Sequence, residues 1–165
     1  MKKILILFIA ALCAFSVEAQ TKLTKVYNET INPLTQIENA VNQAKKQKKH
    51  VICQLGGNWC IWCLRLADFI TKDEEINNFI NDNYVYIHVN YNPKNATTAE
   101  IQKQNAQLLK RLGNPSRFGY PVLIVLNEKG EVIHLQDSAF LEQDKSYDRK
   151  TILRFLQCWT PKAVK

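Results

Sequence analysis

The stretch Val51-Ile52-Cys53-Gln54-Leu55-Gly56-Gly57-Asn58-Trp59-Cys60-Ile61-Trp62-Cys63 decides how this chain is read. Val51 to Leu55 reads as apolar on both faces of an extended backbone, which predicts a buried central strand. Gly56-Gly57-Asn58 turns the chain. Leu64, Leu66, Ala67, Phe69 and Ile70 then supply the apolar side of a helix. The cysteine pair therefore falls on the first turn of that helix. Two cysteines at i and i+3 there can close a small disulfide ring and reopen it. The unpaired N–H groups and positive dipole end of the helix favour thiolate over thiol on the first sulfur. Such a thiolate attacks disulfides, and its neighbour resolves the mixed disulfide. Cys60 is thus the candidate nucleophile, nearest the helix start, and Cys63 the candidate resolving thiol.

Further along the chain, Gly119-Tyr120-Pro121 precedes the apolar run Val122-Leu123-Ile124-Val125-Leu126. A strand, Trp-Cys-x-x-Cys and a helix, followed later by aromatic-Pro and a strand, resembles the thioredoxin superfamily. Residues 55–63, LGGNWCIWC, are most similar to bacterial thioredoxin-like proteins with a Trp-Cys-x-Trp-Cys site. The resemblance covers roughly residues 45–160. It implies an α/β, thioredoxin-like fold, with a central mixed β-sheet flanked by helices on both faces. It implies a thiol–disulfide oxidoreductase that reduces or exchanges protein disulfides through the Cys60/Cys63 couple. It also implies that Pro121 is cis and lies against the cysteines, with the backbone before it pairing to substrate. Trp59, Trp62 and Tyr120 are candidate substrate contacts beside Pro121, with ordinary packing as the competing role. Disulfide-containing or dithiol client proteins and an upstream electron donor or acceptor are the implied partners.

Three departures bear on the chemistry. The residues between the cysteines are Ile61-Trp62, not the Gly-Pro of thioredoxin itself, which leaves the direction of electron flow open. Gln54 stands where thioredoxin keeps a buried acid beneath its cysteines, and Gln cannot accept a proton. Cys63 must then lose its proton to water or to another group. No His lies in or next to the motif, which removes one device for stabilising a thiolate.

Other readings of the cysteines compete less well. Half a zinc knuckle also reads Cys-x-x-Cys, but a structural zinc needs two further ligands at matching spacing. His50, His88 and His134 are isolated, and each reads as a surface or strand-face residue. Haem attachment needs His after the second cysteine, where Leu64 stands. No metal and no cofactor beyond the disulfide is expected, and no flavin, nicotinamide or phosphate-binding signature is present. A thioredoxin-like binding module with a structural, non-cycling disulfide remains as the alternative function. Cys53 reads as a small buried apolar residue of its strand. Cys158 has no obvious partner, and a Cys53–Cys158 bridge cannot be deduced from spacing.

The ends and the charge bear on localisation. Met1-Lys2-Lys3, an apolar run from Ile4 to Val17 and then Glu18-Ala19 form a secretory-signal pattern with a cut expected after Ala19. The run is short for a membrane span. Export, to a periplasm or beyond, follows, with no stable membrane insertion after cleavage. The remaining chain, about 146 residues, suffices for one domain with a real core. We place a signal peptide at 1–19, an arm at 20–31 and a thioredoxin-like domain at 32–165. The formal net charge is +7. The basic run Lys45-Lys46-Gln47-Lys48-Lys49 ends a predicted helix, where positive charge is favourable in itself. It has no interleaved aromatics, so nucleic acid is not an expected partner.

The remaining elements follow from caps and periodicity. The arm is polar, with a possible edge strand near Val26-Tyr27. Asn32-Pro33 opens a helix whose inward residues are Ile37, Ala40, Val41 and Ala44. Thr71-Lys72-Asp73-Glu74 and Thr97-Thr98-Ala99-Glu100 read as capping boxes. The first opens a segment with Ile76, Phe79 and Ile80 inward, the second a helix with Ile101, Leu108, Leu109 and Leu112 inward and Gly113 at its end. Tyr84 to Val89 alternates as a strand. Asn127 to Gly130 joins two strands, 122–126 and 131–135, as a hairpin. Residues 137–144 form a loop of unassigned role. Asp148 caps a last helix bearing Ile152, Phe155, Leu156 and Trp159.

Overall fold

A computed structural model describes residues 23–165. The expected signal peptide at 1–19 and the first residues of the arm lie outside the described residues. Among those described, no helix is long and apolar enough to cross a membrane.

The expected elements form for the expected local reasons. Helix α1 (Pro33–Gln47) starts where the Asn32 side chain accepts from the Leu34 and Thr35 N–H groups, with Pro33 in its first turn. Strand β1 (His50–Gly56) is buried along its whole length. Helix α2 (Ile61–Lys72) follows the turn at Asn58-Trp59, with Cys60 itself as its N-cap. Helix α3 (Glu74–Asn83), strand β2 (Tyr84–Asn90) and helix α4 (Ala99–Arg111) come next. Strands β3 (Val122–Leu126) and β4 (Val132–Asp137) form the expected hairpin, and helix α5 (Arg149–Cys158), capped by Asp148, closes the fold.

The main sheet has the order β2-β1-β3-β4. Strand β1 pairs parallel with β2 and antiparallel with β3, and β3 pairs antiparallel with β4. Alternation along the strands divides the core in two. Val51, Cys53 and Leu55 pack with Val122, Ile124 and Leu126 beneath Ile37, Ala40 and Ala44 of α1 and Leu108 of α4. Ile52, Leu123 and Val125 face the other way, onto Leu66 and Ile70 of α2, Ile76 and Ile80 of α3, and Ile152, Phe155 and Leu156 of α5. The sheet is therefore mixed and covered on both faces. Tight parallel pairing of β1 with β2 fixes the height at which β1 ends, and so where the cysteine turn begins.

Some local expectations fail for identifiable reasons. The cap of α3 is Asp73, which accepts from the Ile76 N–H, not Thr71. Thr71 lies in the last turn of α2 and donates to the Ala67 carbonyl oxygen instead. Likewise Thr98, not Thr97, caps α4. Ile101 is exposed rather than inward, because only the C-terminal half of α4 reaches the core. Residues 138–147 carry a 3-10 turn and two short paired strands, β5 (Glu142–Gln143) and β6 (Ser146–Tyr147), which put Tyr147 against α2. The arm forms no strand at Val26-Tyr27, yet Tyr27 is buried.

Candidate functional site

The end of β1 and the start of α2 build the site from backbone geometry. Cys60 holds extended dihedrals as N-cap, and its N–H donates to the Gly57 carbonyl oxygen at 3.0 Å. The Cys63 N–H, an orphan donor of the first turn, points at Cys60 Sγ at 3.1 Å. Cys60 and Cys63 form a disulfide with Cα atoms 5.2 Å apart. Cys60 is 7% exposed and Cys63 fully buried, so only the first sulfur reaches the surface. In the reduced form the Cys63 N–H and the helix dipole would bear directly on a Cys60 thiolate.

Pro121 enters at the head of the neighbouring strand β3. The Tyr120–Pro121 bond is cis, Pro121 is buried, and the Tyr120 carbonyl oxygen lies 3.6 Å from Cys60 Sγ. Strand β3 begins one residue later beside β1, with Val122 opposite Leu55. Trp59, half-exposed, sets its ring edge-on to Tyr120 at 5.6 Å, and its Nε1 donates to the Tyr91 carbonyl oxygen. Exposed Ile61 stands next to it on the first turn of α2. Trp62 is turned differently. It packs edge-on to Tyr147 at 5.8 Å and carries the Arg65 guanidinium over its face. The structure thus brings Cys60, Trp59, Tyr120 and Pro121 together at one surface and gives Trp62 a largely internal seat.

Beneath the disulfide lies a polar group whose extent the sequence does not show. Gln54 is fully buried and makes three hydrogen bonds. Its Nε2 donates to the Cys63 carbonyl oxygen at 2.9 Å and to the Tyr27 hydroxyl at 2.6 Å, and its Oε1 accepts from the Tyr86 hydroxyl at 2.6 Å. Tyr27 reaches this spot because the arm is clasped by Asn58. The Asn58 side chain accepts from the Tyr27 N–H and donates to its carbonyl oxygen. His88, opposite Gln54 in the parallel pair, sets its ring edge-on to Tyr27 and to Tyr86, each at 5.4 Å. Tyr27, Tyr86 and His88 were not candidates from the sequence. A buried polar residue in a strand was a signal for Gln54 alone.

Burial sets the protonation states here. The phenols of Tyr27 and Tyr86 are raised above their ordinary value by desolvation. Cys53 is free, and burial pushes its thiol up to about 12, so it is inert beside the reactive pair. Cys158 is free and exposed, so there is no bridge between the two. His134 stacks on Trp159, and His50 is buried with its Nδ1 on the Trp159 carbonyl oxygen, so both serve the packing of α5.

His88 is pushed down from 6.5 to about 4 by burial. The unfolded chain therefore takes up a proton between those values that the folded protein refuses. Stability is unaffected above pH 6.5 and falls as the pH drops toward 4. Between pH 7 and 5 this group is expected to cost up to about 2 kcal/mol. Denaturant titrations of the wild type and His88→Gln should diverge in slope over that window; parallel curves would show that His88 charges freely in the fold.

Comparison with known proteins bears on this architecture. A profile of the family described as "Protein of unknown function, DUF255" (Thioredox_DsbH) matches residues 15–161. A relative named "Disulfide bond reductase DsbH", from Chlamydia pneumoniae, is 30% identical over 88 residues, covering 52% of this chain and 51% of the relative. The match thus spans about half the length of that curated protein. A crystal structure of a disulphide isomerase from Xylella fastidiosa Temecula1 superposes with a TM-score of 0.67 at 20% identity, over 82% of this chain and 97% of that one. That likeness is one of fold.

Proposed function

The chain belongs to the thioredoxin-like DUF255 family, and from that premise we propose that it is an exported thiol–disulfide oxidoreductase. The observation that carries the reading is the Cys60–Cys63 disulfide at the N-terminus of α2, with one sulfur at the surface and the other buried. In the reducing direction, the Cys60 thiolate attacks a client disulfide. A Cys60–client bond forms and one client sulfur leaves as a thiolate. Cys63, deprotonated, then attacks Cys60 Sγ. The Cys60–Cys63 bond closes, the second client thiolate leaves, and two electrons have passed to the client.

Trp59, Ile61 and Tyr120 offer an apolar surface for the client chain around the reactive sulfur, and the backbone at Tyr120-Pro121 offers strand-like pairing. Trp62 supports that surface from below. Clients are proteins with disulfides, and a separate dithiol donor recharges the pair. Export rests on the leader pattern at residues 1–19. The relative from Chlamydia pneumoniae is named a disulfide bond reductase, which favours reduction over oxidation.

The test is turnover of a disulfide-bonded protein with excess dithiothreitol as donor, followed by release of client thiols. Catalysis above the rate of dithiothreitol alone is expected. A couple near or below about −250 mV in glutathione titration marks a reductant, and one near about −150 mV an oxidant or isomerase. A rate equal to that of dithiothreitol alone overturns the proposal in favour of a binding module with a structural disulfide.

A further inference from the structure

Resting on that reading, we propose that Tyr27, carried in by the N-terminal arm, is the hydrogen-bond donor to the sulfur of Cys63 when the disulfide opens, with Gln54 and Tyr86 as its positioning residues. The Cys63 carbonyl oxygen can only accept, so the amide edge of Gln54 that faces it at 2.9 Å must be Nε2. Oε1 then faces Tyr86, whose hydroxyl must donate to it. The second Nε2 hydrogen goes to the Tyr27 oxygen. Every bond in the chain Tyr86, Gln54, Tyr27 therefore donates in one direction, and such chains strengthen each member.

The chain ends in one unspent proton, that of Tyr27. Its oxygen is already an acceptor, and among the described residues its hydroxyl donates to no oxygen or nitrogen. What lies across from it is sulfur. A Cβ built on Gly56 would meet Cys63 Sγ at 2.4 Å and the Tyr27 oxygen at 3.0 Å, nearer than anything else. Both atoms border the bare Cα of Gly56, and no hydrogen bond joins them while the disulfide is closed. Tyr27, Cys60 and Cys63 pack in one buried cluster that meets the surface at Cys60.

In the disulfide, Cys63 Sγ is a poor acceptor. As a thiolate it is a strong one, and an O–H donor lowers the energy of that thiolate. Gln54 cannot take the proton of Cys63. That proton leaves to solvent before the resolving attack, and Tyr27 keeps its own throughout, as its raised phenol requires. Around Cys63 the titratable groups are Cys60 on α2, Tyr27 of the arm, Tyr86 and His88 on β2, Tyr147 on β6 and Tyr120 before β3. The four phenols stay protonated and His88 stays neutral above its value of about 4, so the sulfurs alone change charge near neutral pH.

The test separates the two half-reactions. Reduced full-length protein is mixed with a peptide disulfide bearing a quenched fluorophore. Mixed-disulfide formation and release of the second peptide thiol are followed from pH 5 to 10. Tyr27→Phe removes only the hydroxyl. It should leave attack by Cys60 at the wild-type rate, slow resolution about tenfold at pH 7, and move the midpoint of the resolution profile up by about one pH unit. The two resolution rates should converge at high pH, which a merely structural role would not produce. Superimposable profiles for wild type and Tyr27→Phe overturn the proposal. If Tyr27→Phe does not fold, Tyr86→Phe takes its place, with a shift in the same direction of about threefold; a wild-type profile there overturns the proposal equally. No thiol release by the wild type itself would sink the oxidoreductase reading instead.

Discussion

Cys60→Ser is expected to reduce disulfide exchange to the uncatalysed rate, whereas Cys63→Ser accumulates the protein in covalent mixed disulfides with its clients. The asymmetry follows from position. Cys60 is the N-cap of α2, reaches the surface and receives the Cys63 N–H, so only its thiolate is both stabilised and accessible. Cys63 is fully buried and lies behind the first sulfur, where it meets a client only after Cys60 has bound one. Without Cys60 no mixed disulfide forms. Without Cys63 the mixed disulfide forms and cannot close. Non-reducing electrophoresis of each variant after exposure to disulfide-bonded proteins reads this directly. Client-linked bands should appear with Cys63→Ser and vanish on reduction, and none should appear with Cys60→Ser. Full turnover by Cys60→Ser would reverse the two roles.

The parts of this site that lie close together in sequence were legible there. The strand, the turn and the helix that carry the cysteines occupy one continuous run, and a local pattern of burial and glycine is enough to place them. Pro121 was legible because it immediately precedes a strongly apolar strand. Tyr27 was not. It sits in a polar arm without periodicity, and what buries it is a clasp to Asn58, 31 positions away, and a hydroxyl bond to Gln54, 27 positions away. No local rule reports such a contact. Gln54 was noticed for what it lacks, a carboxyl, while its role depends on partners from two other elements.

The misplaced caps have a similar origin. Thr71 and Asp73 both suit a cap, and the choice is made by where α2 stops, which its packing on Ile52 and Ile76 sets. The short strands β5 and β6 are two residues each, too short for alternation to show, and they exist because Tyr147 buries its ring beside Phe69 and Trp62 and donates its hydroxyl hydrogen to the Trp62 carbonyl oxygen.

The most damaging single methyl group in this protein is expected at Gly56. In Gly56→Ala the new Cβ would lie 2.4 Å from Cys63 Sγ, 3.0 Å from the Tyr27 oxygen and 3.3 Å from Cys63 Cβ. None of these atoms can retreat. Cys63 is tied by its disulfide and by the helix that begins at Cys60, Tyr27 is held by Gln54, and β1 is paired on both sides. Overpacking of this kind costs about 1–3 kcal/mol, which for a domain of this size lowers the melting temperature by roughly 3–10 °C. The same shift displaces the resolving sulfur, so catalysis should fall along with stability. Gly57→Ala provides the control one residue away. Its Cβ meets the Trp59 ring at 2.4 Å, but that ring is half-exposed and can swing out, giving up its bond to the Tyr91 carbonyl oxygen. It should melt close to the wild type. Equal melting temperatures for Gly56→Ala and Gly57→Ala would mean that Cys63 is not held against the end of β1, and the close approach on which the buried half of the site depends would have to be abandoned.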